Sequence, residues 1–273
     1  MSVDPTSGDT AGDTAAAVPA GAGAEPARPP RATSRATARR AGAEDRPLKA
    51  IERAFYQIAR LTFIIFGKLF WRVEIEGLEQ VPRDRPVVIS PVHRSNIDTI
   101  LMAFLSRRPL RYMAKASLFR HRWSAVIITA LGGFPVYRDG SDREALRTCE
   151  SALRRGESVV VFPEGTRKAG PVVTDLYEGA AFVALRGGVP IVPVGIGGSA
   201  GAMPKGSKFV HPVKIRIIVG PPIVPPSRAG AAARGTRRQV RELTDQLQRD
   251  LQRLYDRAEG RTGETPAGGG TGE

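Results

Sequence analysis

The chain has 273 residues, with 41 Lys and Arg against 27 Asp and Glu and a formal net charge of +14. This excess of positive charge favours an anionic partner, such as nucleic acid, an anionic lipid surface or a phosphorylated substrate. Nucleic acid is the weaker option, because the chain has no helix-turn-helix, zinc-finger or aromatic RNA-binding pattern. The single cysteine, Cys149, excludes an intramolecular disulfide and a cysteine-rich metal site, and it is typical of a reducing compartment.

Both ends of the chain are expected to be disordered. Residues 1–46 contain no Leu, Ile or aromatic residue, and such a segment cannot bury enough apolar surface to offset its ordering entropy. The tail over residues 260–273 is of the same kind. The first residues lack both a basic start and an apolar core, so no signal peptide is expected.

Residues 47–72 are the first strongly apolar segment and favour a helix that lies in a membrane interface. Arg60 and Lys68 interrupt the segment, which therefore falls short of the roughly 20 charge-free residues of a spanning helix. On this interpretation the basic residues that face anionic headgroups are Lys49, Arg53, Arg60 and Lys68. A core helix of the domain and a true membrane span are the alternatives.

Residues 73–224 alternate between predicted strands and helices, which indicates one α/β domain. Apolar, β-branched runs predict strands near residues 73–75, 87–89, 110–113, 134–137, 158–162, 191–196 and 213–219. Helical patterns separate most of them. This alternation predicts a mostly parallel central sheet covered by helices on both faces.

Residues 225–259 turn basic and predict a C-terminal amphipathic helix. Five apolar residues recur at helical spacing and are flanked by arginines: Val240, Leu243, Leu247, Leu251 and Leu254. A helix docked on the domain is the simplest interpretation. A second membrane-contacting helix or a helix-pairing surface are the alternatives.

A histidine and an acid stand just past the second predicted strand, where active sites of open α/β sheets form. A histidine such as His93 can accept a proton from an alcohol near neutral pH, and the nearby Asp98 can hold its tautomer and stabilise its charged form. An ordinary loop histidine next to a helix cap is the alternative, because Ser95 and Asp98 also have the spacing of a capping box. The two roles are compatible, since a turn that caps the helix can fold His93 back over Asp98.

A second polar loop follows the strand that ends near residue 162. Pro163 prevents the strand from continuing, and Gly165 lets the backbone approach a ligand closely. Glu164 and Arg167 are expected on this loop at the same sheet edge as His93. A plain loop with a surface ion pair is the alternative.

Three cationic residues follow separate predicted strands: Lys115, Arg138 and Arg167. If these strands are parallel, the three charges converge on one edge of the sheet, where guanidinium groups suit a phosphate well. A solvated arginine is the alternative for each residue taken alone. Cys149 lies on the apolar stripe of its predicted helix, which indicates packing and not a nucleophile.

Four sequence blocks, in this order, resemble those of the glycerolipid acyltransferases. The blocks are HRSNID at residues 93–98, GGFPVYR at 132–138, FPEGTR at 162–167 and GVPIVPV at 188–194. The first contains the His-x4-Asp pattern of that family, and the third is the most specific. The chain departs from the family at Val92, where Asn is frequent, and at Arg94, where Gln is frequent.

The resemblance is greatest to the bacterial 1-acylglycerol-3-phosphate O-acyltransferases, and it implies acyl transfer from acyl-CoA or acyl-carrier protein to the free hydroxyl of a lysophospholipid. It implies His93 as general base and Asp98 as its orienting carboxylate. Phosphate binding is then expected of the three cations, and Glu164, Gly165 and Ser95 are expected to position the acceptor or shape the loop. The Gly165 amide is a candidate donor to the developing oxyanion.

The family also implies that no metal or prosthetic group takes part, and that the protein works at the cytoplasmic face of the cell membrane as a peripheral or monotopic protein. The product would be phosphatidic acid. The same chemistry on another lysophospholipid or on glycerol 3-phosphate is an alternative. A non-catalytic protein that binds anionic membranes is the alternative from a different class.

Overall fold

A seven-stranded sheet forms the centre of the computed structural model, which describes residues 50–136, 142–204, 206–207, 209–226 and 237–261. The disorder expected for residues 1–46 and for most of the tail concerns residues outside these ranges. The strands are β1 (Glu74–Glu76), β2 (Val88–Pro91), β3 (Leu110–Lys115), β4 (Gly133–Val136), β5 (Ser158–Val160), β6 (Ile191–Gly197) and β7 (Arg216–Val219). The helices are α1 (Ala50–Phe70), α2 (Asp98–Leu101), α3 (Arg122–Ala130), α4 (Asp142–Arg154), α5 (Gly179–Gly187), α6 (Ser199–Ala202) and α7 (Arg237–Ala258).

The strands follow the order β1-β7-β6-β2-β5-β3-β4 across the sheet. The five strands from β6 to β4 are parallel to one another, whereas β7 is antiparallel to β6 and β1 is parallel to β7. Every residue of β2 and β6 is buried, as expected for central parallel strands covered on both faces. The prediction of a mostly parallel sheet is confirmed, and the reversed pair β1 and β7 occupies one edge.

The helices form two groups that pack within themselves. Helices α4, α5 and α7 are neighbours, and α7 packs on β6 and β7. Helix α1 contacts α3 and the 3-10 turn at Met102–Phe104. The five apolar residues predicted along α7 are all buried, so this helix is docked on the domain.

Helix α1 is tied to the domain by one face only. Tyr56 and Gly67 are its buried residues, and a Cβ added at Gly67 would lie 2.6 Å from the Phe104 ring. The Arg60 guanidinium donates hydrogen bonds to the carbonyls of Ala103 and Ser106 at 2.8 and 2.7 Å. Both hydrogen bonds come from Nε, so this part of the Arg60 guanidinium faces the domain and not a headgroup.

The opposite face of α1 is apolar and exposed. Its exposed large apolar residues are Ile51, Phe55, Ile58, Leu61, Ile65, Phe66 and Leu69. Val126 and Ile127 of the neighbouring α3 are also exposed. Within the described ranges, no helix has both the length and the hydropathy needed to cross a bilayer.

Candidate active site

The His93 side chain lies at the carboxyl edge of the central strand β2 and contacts Asp98. Its Nδ1 is 3.1 Å from Asp98 Oδ2, and its ring packs on Phe162 with 4.1 Å between the ring centroids. The His93 side chain is 17% exposed and that of Asp98 is 0% exposed. If Nδ1 carries the proton donated to Asp98, Nε2 is free to accept one.

The Asp98 carboxylate also holds the turn that carries His93. Its Oδ2 accepts hydrogen bonds from the backbone N–H groups of Arg94 and Ser95 at 2.7 and 2.6 Å. The single oxygen Oδ2 therefore both contacts the His93 ring and accepts the backbone hydrogen bonds of the turn. Oδ1 is buried and has no hydrogen-bond partner in the described part of the chain.

Ser95 is placed differently from the sequence expectation. Its hydroxyl donates to the carbonyl of Met203 at 2.7 Å and is not used to cap α2. The predicted capping box is thus only half formed. Ser95 is fully buried, and its hydroxyl ties the loop to the backbone of Met203.

Glu164 is fully buried and lies between the two polar loops. Its Oε1 accepts a hydrogen bond from the His93 backbone N–H at 3.0 Å, and its Oε2 lies 2.5 Å from Arg94 Nη1. The alternative of a surface pair with Arg167 is wrong, since the partner is Arg94. Of the two expected roles, loop ordering is the one that the structure supports, because each carboxylate oxygen accepts a hydrogen bond from a protein donor. Glu164 therefore orders the His93 loop.

Arg94 is a site residue that sequence reasoning treated only as a departure from the family. Its side chain is 1% exposed, and its guanidinium carbon lies 4.6 Å from the Tyr255 ring centroid. Burial lowers the pKa of the Arg94 guanidinium, but the hydrogen bond and charge of Glu164 outweigh burial and raise the pKa above its ordinary value. In the sequence, Arg94 is recognisable only as a cation next to His93. That its side chain is buried depends on Glu164, which lies 70 residues further along the chain.

Gly165 forms a tight turn. It has φ 64°, and a Cβ at this position would lie 2.7 Å from the exposed ring of Tyr177. Its amide N–H donates to the Phe162 carbonyl at 3.0 Å. The turn uses this donor, and the role of the amide towards an oxyanion stays a prediction.

The three expected phosphate-binding residues follow strands that end at the same edge of the sheet. Strands β2, β5, β3 and β4 are adjacent and parallel. Arg167 is half-buried on the loop after β5 and has no acidic partner among the described residues. Lys115 ends β3 opposite Val136, but its side chain lies outside the description, as does the whole of Arg138.

Cys149 is fully buried in α4. Burial raises the pKa of its thiol to about 12. A thiol that stays protonated in an apolar setting is a poor nucleophile, which confirms the interpretation of Cys149 as a packing residue.

A histidine backed by a buried carboxylate, at the carboxyl edge of a parallel sheet, is the arrangement of an enzyme that activates a hydroxyl group. Comparison with known proteins identifies the family of enzymes that this site resembles. Residues 72–197 match the Acyltransferase family, and they contain both His93 and Glu164. This part of the chain is therefore similar to the acyltransferase family.

Two relatives illustrate the similarity. The chloroplast 1-acyl-sn-glycerol-3-phosphate acyltransferase LPAT1 of Arabidopsis thaliana is 31% identical over 170 residues, which cover 61% of this chain and 48% of that protein. The 1-acyl-sn-glycerol-3-phosphate acyltransferase of Bacillus subtilis is 27% identical over 186 residues, 68% of this chain and 89% of that protein. The chain thus spans about half the length of the chloroplast relative and most of the bacterial one.

A solved structure shows the same fold. The crystal structure of the 1-acyl-sn-glycerophosphate acyltransferase PlsC from Thermotoga maritima matches with a TM-score of 0.61 and 24% sequence identity. The match covers 82% of this chain and 89% of that chain. This likeness supports the α/β architecture.

Proposed function

We propose that the chain transfers a fatty acyl group from acyl-CoA or acyl-carrier protein to the free hydroxyl of 1-acyl-glycerol 3-phosphate, giving phosphatidic acid. The observation that carries the proposal is the His93–Asp98 contact of 3.1 Å within the acyltransferase-family region. The relatives named as 1-acyl-sn-glycerol-3-phosphate acyltransferases support the choice of acceptor.

In the proposed reaction His93 is the general base. Its Nε2 accepts the proton of the acceptor hydroxyl while that oxygen attacks the thioester carbonyl. The tetrahedral intermediate then collapses, the carbon–sulfur bond breaks, and the imidazolium returns its proton to the leaving thiolate. Asp98 holds the ring and stabilises the imidazolium, as the carboxylate does in a serine hydrolase triad. The nucleophile belongs to the substrate, so the proposal needs no acyl-enzyme, metal or prosthetic group.

The test of the reaction is thiol release from acyl-CoA by the purified protein, with and without 1-acyl-glycerol 3-phosphate. Wild type should release thiol only with an acceptor, and His93→Ala should lower kcat by about 10²–10⁴-fold, since a general base contributes this much. His211→Ala is the matched control, because His211 is exposed and lies outside the site. Transfer retained in His93→Ala would exclude the mechanism, and faster transfer to glycerol 3-phosphate or another lysophospholipid would change the acceptor.

We further propose that Arg167, with Lys115 and Arg138, binds the phosphate of the acceptor. The support is that Arg167 has no acidic partner in the described residues and follows a strand adjacent to that of His93. Arg167→Ala should raise the KM for 1-acyl-glycerol 3-phosphate about tenfold or more, because a charge-assisted hydrogen bond is among the stronger polar contacts. The KM for acyl-CoA should change little.

The neighbouring Lys168 provides the control for this measurement. Its ammonium is already paired with Asp175 at 3.3 Å, so Lys168→Ala should leave the KM for the acceptor nearly unchanged. Equal increases in the KM for acceptor and for donor in Arg167→Ala would contradict the phosphate role.

We also propose that the exposed apolar face of α1 lies in the interface of an anionic membrane on its cytoplasmic side. A continuous apolar stripe on an exposed helix suits the boundary between headgroups and acyl chains. Arg53 and Lys68 are exposed on the same helix, and the net charge of +14 favours anionic lipid. The acyl chain of a lysophospholipid acceptor favours the same surface.

A further inference from the structure

Three side chains on one face of the C-terminal helix α7 hold a single loop. Gln248, Gln252 and Tyr255 all contact the backbone of residues 170–173, which we call the strap. Gln252 accepts a hydrogen bond from the Val173 N–H at 2.7 Å and donates to the Pro171 carbonyl at 3.1 Å. The Gln248 amide donates to the Val173 carbonyl at 3.1 Å. The strap is thus fixed to α7 by its own backbone polar groups.

The strap in turn contacts Arg94. Arg94 Nη2 lies 3.3 Å from the Val172 carbonyl, and the Arg94 guanidinium packs against the Tyr255 ring. Tyr255 is 4% exposed and its hydroxyl lies 3.4 Å from the Gly170 carbonyl. A second guanidinium, that of Arg261, lies 4.7 Å from the centroid of the same ring. A buried aromatic ring next to a desolvated cation is a favourable contact.

Arg94 connects the strap to His93 through Glu164. Its guanidinium binds the Glu164 carboxylate, and the other Glu164 oxygen accepts the His93 backbone N–H. The His93 carbonyl accepts from Arg94 Nη1 at 3.3 Å and from the Lys168 N–H at 3.0 Å. Both polar groups of the His93 backbone are therefore held by residues of this network.

We infer that α7 positions the general base, and that Tyr255 and Gln252 are positioning residues which act on His93 through the strap, Arg94 and Glu164. The inference rests on the proposed function for its catalytic consequence. A helix that only covers the sheet would need its apolar stripe alone. In addition to that stripe, α7 carries Gln248 and Gln252, whose side chains bind the strap next to the catalytic turn. A small displacement of a catalytic group costs about 10²-fold in rate, so this network controls kcat.

The test compares Tyr255→Leu, which removes the ring, with Tyr255→Phe, which keeps it. Tyr255→Leu should lower kcat about 10–100-fold, while the KM values for both substrates should change less than about twofold, since Tyr255 is buried and only 4% exposed. Tyr255→Phe should retain most of the wild-type kcat. A kcat for Tyr255→Leu close to wild type would overturn the inference, and so would a loss that appears in KM alone.

A double-mutant cycle tests whether Tyr255 acts through Arg94. Arg94→Gln should lower kcat by itself, and adding Tyr255→Leu should lower it little further, because residues of one network are not additive. Full additivity would overturn the proposed route. If Tyr255→Leu does not fold, Gln252→Ala takes its place in the cycle with the same expected result.

A readout that needs no activity separates this inference from the proposed function. The chain has three histidines, and the His93 ring resonance in NMR spectra can be assigned by its loss in His93→Ala. Tyr255→Leu should move that resonance and leave those of His121 and His211 in place. Leu247→Ala, on the buried face of the same helix, should lower stability without moving it. An unmoved His93 resonance in Tyr255→Leu overturns the inference even if wild type shows no acyl transfer.

Discussion

At the residue scale the centre of the site is a buried ion pair between Arg94 and Glu164. Their side chains are 1% and 0% exposed. Two charges taken out of water need close geometry and hydrogen bonds to be stable. Here Glu164 accepts from both Arg94 and the His93 N–H, whereas Arg94 Nε is buried without a hydrogen-bond partner among the described residues. The pair joins two loops that lie 70 residues apart in the chain. The position of the His93 backbone therefore depends on the carboxylate of Glu164, on a different loop.

Glu164→Gln should destabilise the protein by about 3–5 kcal/mol, because it leaves the buried charge of Arg94 without a counter-ion. Urea unfolding followed by circular dichroism measures this change. Glu242→Gln is the control: Glu242 pairs with Arg238 on the exposed side of α7, where an ion pair contributes little. Equal stability of Glu164→Gln and wild type would show that the pair is dispensable.

At the scale of elements, α7 approaches strand β6 unusually closely. A Cβ at Gly195 would lie 2.4 Å from the Leu254 backbone, and one at Gly197 would lie 2.2 Å from the Ala258 carbonyl oxygen. Two glycines on one face of β6 thus let the helix backbone rest directly on the strand. The polar face of α7 reaches the strap from this position.

Gly195→Ala should push α7 away from the sheet and destabilise the protein by about 1–3 kcal/mol, as overpacking of a core does. It should also lower kcat if α7 positions His93. Thermal unfolding and the thiol-release assay measure the two effects. In the control Gly201→Ala the new Cβ would meet only Val213 methyl groups at 3.7 and 3.8 Å, so stability should not fall. Unchanged stability of Gly195→Ala would mean that α7 can shift without cost.

The two long helices have the same pattern of apolar residues but differ in whether that apolar face is buried or exposed. Both α1 and α7 have apolar residues at helical spacing, but the stripe of α7 is buried and most of that of α1 is exposed. Arg60, although charged, holds α1 to the domain through the carbonyls of Ala103 and Ser106.

At the scale of the whole molecule, the proposed membrane surface and the proposed catalytic pair are connected by a short path. Helix α1 packs on the turn at Met102–Phe104, and this turn directly continues α2, which begins with Asp98. A helix seated in the interface would therefore hold the His93–Asp98 pair near the lipid surface. This arrangement suits an acceptor whose hydroxyl lies at headgroup level.

Leu61→Glu should weaken binding to vesicles that contain phosphatidylglycerol, because it places a charge in the middle of the exposed apolar face of α1. Co-sedimentation with vesicles measures the bound fraction, which should fall about tenfold or more for a buried carboxylate. Gln246→Glu, an exposed site on α7, is the control for added negative charge. Unchanged binding of Leu61→Glu would place the membrane contact elsewhere.

Local patterns in the chain were sufficient for the class of fold and for the contact between His93 and Asp98. Alternating strands and helices predict a parallel sheet, and a turn that precedes a helix can bring a histidine over an acid five residues later. The buried position of Cys149 follows from helical spacing in the same way. These features depend on neighbours within one or two turns of the chain.

Contacts between distant segments decided the rest. The Arg94–Glu164 pair, the reversed strands β1 and β7, and the use of Ser95 and Gly165 inside the loops depend on which segments meet in space. The spacing of residues along the chain does not specify these long-range contacts. An amphipathic helix can bury its apolar face, and a charged loop residue can form its ion pair, with any of several partners. The folded sheet selects one partner for each of these groups. It brings the loops after β2 and β5 together at the carboxyl ends of the strands, and it places α7 on β6.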